Sequence, residues 1–166
     1  MTRSANEVMT LAAKAARGAG APPAQAAEFG RAVVCHLIAA RDVAEIWVVL
    51  KALPKGPILT FPTAFARLAE SAVAGQAKGV LACETTPELA QSYAEALPFS
   101  QSNDPVPNGL RLTLNLTKPA THKTVPRIDL PEDLAGWMAD LAARTFVPES
   151  EASRLAGAGA GLTDND

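Results

Sequence analysis

Apolar positions in the first third of the chain recur at helical spacing. Val8, Leu11, Ala12 and Ala15 share one helix face. Ser4 and Glu7 precede them at capping-box spacing, which satisfies two free amides at a helix start. Arg17 and Gly18 supply the stop, and the prolines at Pro22 and Pro23 suit the opening of a second helix. That helix carries Phe29, Val33, Val34, Leu37 and Ile38, and from Ala32 to Ala40 it is apolar on most of its circumference. Such a helix is buried centrally or lies in a subunit interface. Ile46, Trp47, Val49 and Leu50 mark a third helix, closed by the run from Pro54 to Pro57.

Beyond Pro57 the periodicity changes. Ile58 to Phe61 is a short strand candidate, Thr63 to Ala77 a helix, and Gly79 to Cys83 a short buried strand. Thr86, Pro87 and Glu88 combine a hydroxyl cap, a proline at the first helical position and an acid in the first turn, so a helix is expected to about Leu97. Ser100 to Gly109 is rich in Ser, Asn, Asp and Pro and is expected to be an exposed loop. Leu110, Leu112, Leu114 and Leu116 then alternate with polar residues, the signature of a strand with one buried face. Val125 to Leu130 is its candidate partner. A last long helix starts at Pro131 and carries Leu134, Trp137, Met138 and Leu141. A helical turn from Glu149 to Leu155 leads into the glycine run that closes the chain.

Together these elements predict an α+β fold: a helical N-terminal half packed on a small mixed or antiparallel sheet with covering helices. The expected organisation is a single domain over residues 1–166. Residues 1–56 form its helical part, 57–147 its strand and helix part, and 148–166 a glycine-rich segment.

Composition sharpens this picture. The chain has 166 residues, and of the 48% that are hydrophobic much is alanine, with aromatics at 5%. Alanine buries little area, so stability must come from close helix packing. With a formal net charge of −2, no basic surface of the size that nucleic-acid binding needs is expected. No apolar run is long enough to span a bilayer. Two distant cysteines and a polar N-terminus without a signal-peptide core point to a reduced, cytoplasmic protein.

Chemistry-bearing residues are few. Cys35 and His36 are neighbours, but on a helix they point about 100° apart and cannot form a facing dyad. His36 lies on the Phe29–Val33 stripe, where a core or interface histidine is the commoner case. Cys83 ends a strand ahead of a helix N-terminus, a place where ligand sites collect and thiol pKa values fall, although Glu84 opposes the second effect. A zinc site from Cys35, His36, Cys83 and His122 would follow no familiar spacing, so no metal is expected. His122 sits in a polar, lysine-flanked connection that suits a solvated hairpin or a small cationic loop. Gly157, Gly159 and Gly161 could present successive amides to an anion, yet they match neither a Walker loop nor a dinucleotide fingerprint. Asp164, Asn165 and Asp166 follow as a polar terminus.

Two stretches carry a resemblance. Leu11 to Gly20 (LAAKAARGAG) resembles the opening of the bacterial family of unknown function DUF3726, and Arg144 to Asp166 is similar to that family's closing segment. Around Pro22 to Gln25 the family more often has an aromatic and a glycine, where this chain has two prolines. The resemblance implies a carboxyl-terminal segment docked on the body, with Arg154 the fixed charge near the glycine run. It implies no activity and no cofactor.

Three functional expectations result. The first is binding of a small anionic metabolite by Arg154, Gly157, Gly159, Gly161 and Asp164. The second is a homo-oligomeric assembly protein joined through the second helix. The third is a small enzyme using Cys83.

Overall fold

In the computed structural model the described residues are 2–121 and 127–145. The elements run β1 (Thr2–Arg3), α1 (Ala5–Gly18), α2 (Pro23–Ile38), α3 (Ala44–Ala52), α4 (Pro57–Glu70) and β2 (Gln76–Ala82). They continue with α5 (Pro87–Glu95), β3 (Phe99–Val106), β4 (Gly109–Pro119), β5 (Ile128–Asp129) and α6 (Glu132–Ala143). The fold is α+β, as the pattern predicts, with a small antiparallel sheet.

The capping box at the start of α1 is formed: the Glu7 amide donates to Ser4 Oγ at 3.2 Å, and the Ser4 amide donates to Glu7 Oε2 at 2.7 Å. The helix then buries Val8, Ala12, Ala15 and Ala16. These small side chains let helices approach closely. A methyl at Gly18 would sit 1.8 Å from the Leu141 carbonyl oxygen of α6, and one at Gly30 would sit 2.5 Å from the Met9 carbonyl oxygen. The alanine-rich composition therefore acts through backbone proximity between α1, α2 and α6.

Helix α2 is the centre of the molecule, touching α1, α4, α5 and β5. It buries Phe29, Ala32, Val33 and His36 completely. The central placement expected of this apolar helix is observed, while Val34, Leu37 and Ile38 stay partly exposed.

Helix α4 corrects the sequence reading. Ile58 to Phe61 is the first turn of a helix, with Pro57 at its opening position and Pro62 inside it. Ile58, Phe61, Pro62 and Phe65 all face inward, which is helical rather than alternating spacing. Three apolar residues in a run of four after a proline fit either element when taken alone. The helix also ends earlier than expected, at Glu70, because Ala74 and Gly75 take positive φ (49° and 76°) in a tight turn that launches β2.

The sheet order is β2-β4-β3. Strand β4 places Leu110, Leu112 and Leu114 in the core, opposite Leu81, Gly79 and Ala77 of β2. Strand β3 occupies most of the segment expected as a loop. It joins β4 through Pro107 and Asn108, the latter at φ 59°, with Val106 opposite Gly109. The polar residues of β3 suit an edge strand with one wet face, and Pro105 is tolerated because an edge needs no second set of donors. A further correction concerns β5, which pairs with β1 (Arg3 opposite Ile128) and not with β4. Val125 and Pro126 lie outside the described residues.

Helix α5 starts differently from the sequence expectation. Thr86 makes no capping bond. Instead the Glu45 carboxylate of α3 accepts the amides of Glu88 (3.3 Å) and Leu89 (2.6 Å). In return Glu88 accepts the Asp42 amide at 2.7 Å, just ahead of α3. Burial pushes the Glu45 carboxyl above its ordinary range, while the two amide donors pull it down.

The helices α4 and α5 pack on one face of the sheet, α2 lies behind α5, α1 behind α2, and α6 behind α1. The other sheet face carries Lys78, Val80, Arg111, Thr113, Ser102 and Asp104, and is mostly polar. No helix among the described residues is long and apolar enough to cross a membrane.

Candidate functional site

Two features meet where the C-terminal half of α2 faces α5: a buried polar cluster and, beside it, a cavity. His36 is fully buried, with Nε2 2.9 Å from the Asp42 carbonyl oxygen and Nδ1 3.0 Å from Ser92 Oγ. A carbonyl only accepts, so Nε2 carries the proton and Nδ1 of the neutral ring accepts. Burial lowers the His36 pKa below 6.5, with the Arg41 charge adding to it and the Asp42 carbonyl opposing it. Arg41 Nη1 donates to Ser92 Oγ at 2.9 Å and to Glu95 Oε2 at 2.7 Å, while Nη2 donates to Glu95 Oε1. This is a two-pronged, partly buried ion pair. The single Ser92 hydroxyl proton has two acceptors, His36 Nδ1 and the Glu88 carbonyl at 2.8 Å.

A serine hydroxyl facing a neutral imidazole is the first half of a nucleophile–base pair. Here, however, Ser92 and His36 both have 0% exposure, so no substrate reaches them. The cluster is a clamp that ties the end of α2 and the start of α3 to α5.

The cavity opens on the other side of Glu95. It measures about 580 Å³, within the usual range for small-molecule sites. Its walls are Met9 from α1, Val34 and Ile38 from α2, and Ala96 after α5, with Asn6, Arg31 and Thr121 as polar lining. Glu95 lines it too, but its carboxylate is held by Arg41. Arg31 makes no ion pair or hydrogen bond with any described residue. The cavity therefore combines an apolar body with one uncommitted cation.

Cys35 also lines the cavity, so the two neighbours on α2 do diverge: the thiol faces the cavity and the imidazole the clamp. Burial, then the Glu95 charge, pushes the Cys35 thiol up. Cys83 is buried at the end of β2, and burial followed by the Glu45 charge raises its pKa as well. Neither is an activated thiolate. No group of three His, Cys, Asp or Glu among the described residues could hold a metal ion.

The sequence-based site residues Arg154, Gly157, Gly159, Gly161 and Asp164 lie outside the described residues, as does His122. Sequence reasoning missed Arg31, Arg41, Ser92 and Glu95. The one available signal was an arginine and an aspartate directly after an apolar helix. Ser92 is separated from His36 and Arg41 by at least 51 residues and left no trace in local pattern.

No family model, no curated protein and no solved structure matches this chain.

Proposed function

We propose that this chain binds a small metabolite with an apolar body and one anionic group, the body in the α1–α2–α5 cavity and the anion against Arg31. The observation that supports it most is Arg31, without an ionic partner among the described residues, on the wall of a mainly apolar cavity of about 580 Å³. A charged donor without a partner is inexpensive in water and favourable toward a carboxylate or phosphate. The carboxyl-terminal residues Arg154, Gly157, Gly159, Gly161 and Asp164 stay in the proposal as a second set of anion contacts, on the sequence and on the resemblance to DUF3726. A role as a Cys83 enzyme draws no support from a buried thiol with a raised pKa.

The test is calorimetric titration with a panel of medium-chain carboxylates and phosphate monoesters. One member should bind, Arg31→Ala should weaken it about tenfold or more through loss of a charged hydrogen bond, and Ala96→Phe should abolish it by filling the cavity. Binding that survives both substitutions undiminished would place the ligand elsewhere and refute the proposal, as would silence from the whole panel.

A further inference from the structure

We propose that β2 is a self-association edge, pairing antiparallel with β2 of a second copy about a two-fold axis through Val80. The phase of the β2–β4 ladder is set by two bonds: Cys83 N–H to Asn108 O at 3.3 Å, and Leu116 N–H to Gly75 O at 2.8 Å. Odd-numbered residues of β2 thus turn their backbone groups toward β4. The N–H and C=O of Lys78, Val80 and Ala82 point the other way, to the side of β2 where no described strand pairs. Those of Gln76 are already engaged with Val73, at 3.0 and 2.9 Å.

The two edges of the sheet are treated differently. Strand β3 carries Asp104 and Pro105, the residues that guard an edge against pairing. Strand β2 has seven residues, a single charge at Lys78 and no proline, and its pairing with β4 is continuous without a bulge. Exposed large apolar residues collect there as well. Val80 is 64% exposed and Val73, just before the strand, 79%; Val48 is the other described residue of this kind.

Pairing about Val80 sets Val80 against its own copy and Lys78 against Ala82 of the second copy. Every free backbone group of Lys78, Val80 and Ala82 then gains a partner. Lys78 then lies beside the end of the second copy's strand, two residues ahead of its Glu84. A two-fold axis at Gly79 would instead bring the two Lys78 residues diagonal to each other and would require the engaged groups of Gln76. A two-fold perpendicular to the sheet also keeps the polar face on one side, giving a continuous six-stranded sheet in the order β3-β4-β2-β2-β4-β3. This pairing runs through a strand edge and is separate from the α2 interface expected from the sequence.

Sedimentation equilibrium of the full chain over a concentration series should show a monomer–dimer equilibrium. Val80→Lys, which adds a charge beside each Lys78, should raise the dimer dissociation constant at least tenfold without lowering the melting temperature of the dilute protein. Val80→Cys should form a disulfide-linked dimer under mild oxidation, because residues directly opposite in such a pair lie about 5.5 Å apart at Cα. Val73→Cys should not, since it faces no copy of itself. A chain that is monomeric throughout overturns the inference, even if it captures an unrelated extended peptide at β2. So does a dimer indifferent to Val80→Lys, or one in which Val73→Cys cross-links as readily as Val80→Cys.

Discussion

Gly18→Ala should destabilise the protein by about 2 kcal/mol, although alanine is the better helix former. The added methyl would lie 1.8 Å from the Leu141 carbonyl oxygen and 2.7 Å from its carbon. A relaxed carbon–oxygen contact needs about 3.4 Å, so α1 and α6 would have to part locally by about 1.5 Å. Because the obstructing atoms are backbone, no change of rotamer relieves the overlap. Overpacking of this kind costs about 1–3 kcal/mol, and a backbone collision belongs near the upper end. The intrinsic gain of alanine over glycine in a helix returns about 0.5–1 kcal/mol. For a chain of this length the net corresponds to a fall in Tm of about 4–8 °C. Gly136 provides the internal control. It lies inside α6, is exposed, and an added methyl meets nothing within 4 Å. Gly136→Ala should therefore stabilise by about 0.5–1 kcal/mol. Urea denaturation of both variants beside wild type checks the pair. A Gly18→Ala midpoint at or above wild type would refute the account of close α1–α6 packing, whatever Gly136→Ala does.

Three further outcomes are expected. The pKa of His36 is lowered from 6.5, so the unfolded chain binds the proton more readily, and the stability this group contributes is present above pH 6.5 and is lost as pH falls below it. Glu45, raised from 4.5, acts in the opposite sense, so the diagnostic is the difference between wild type and His36→Gln in urea midpoints from pH 7 to 5. Arg41→Ala should cost about 2 kcal/mol by stranding Glu95 and removing a donor from Ser92, and chemical denaturation beside Lys55→Ala, an exposed control, would measure it. Both thiols should react slowly with iodoacetamide at pH 7, and Cys83 only on unfolding; mass spectrometry that finds Cys83 alkylated in the native protein would contradict its burial.

The parts of the fold that were legible in sequence are those whose signals are local. The capping box of Ser4 and Glu7, the alternating leucines of β4 and the apolar face of α6 each follow from residues within one or two turns of each other. The errors arose where local pattern was ambiguous or where a neighbour decided the outcome. Ile58 to Phe61 is compatible with strand or helix until Phe65 joins the same face. The polar Ser100 to Val106 segment is a strand only because β4 supplies its partners. The candidate site was less legible still. Arg31 is an ordinary exposed arginine in sequence, and its interest comes from the walls that α1 and α5 raise beside it. The His36–Ser92–Arg41–Glu95 clamp depends on two chain segments about fifty residues apart meeting in space, a fact that periodicity does not encode.

The exchange of carboxylates between α3 and α5 bears on how local unfolding would be observed. Each helix has nine residues, too few to persist alone in water. The first amides of α5 are held by a residue that belongs to α3, at 43 to 44 positions' remove. Deuterium uptake at Glu88 and Leu89 would therefore report on α3: when that helix detaches, those two amides lose their acceptor while the hydrogen bonds later in α5 remain closed. A pair of backbone protons in one helix thus becomes a gauge of the attachment of another.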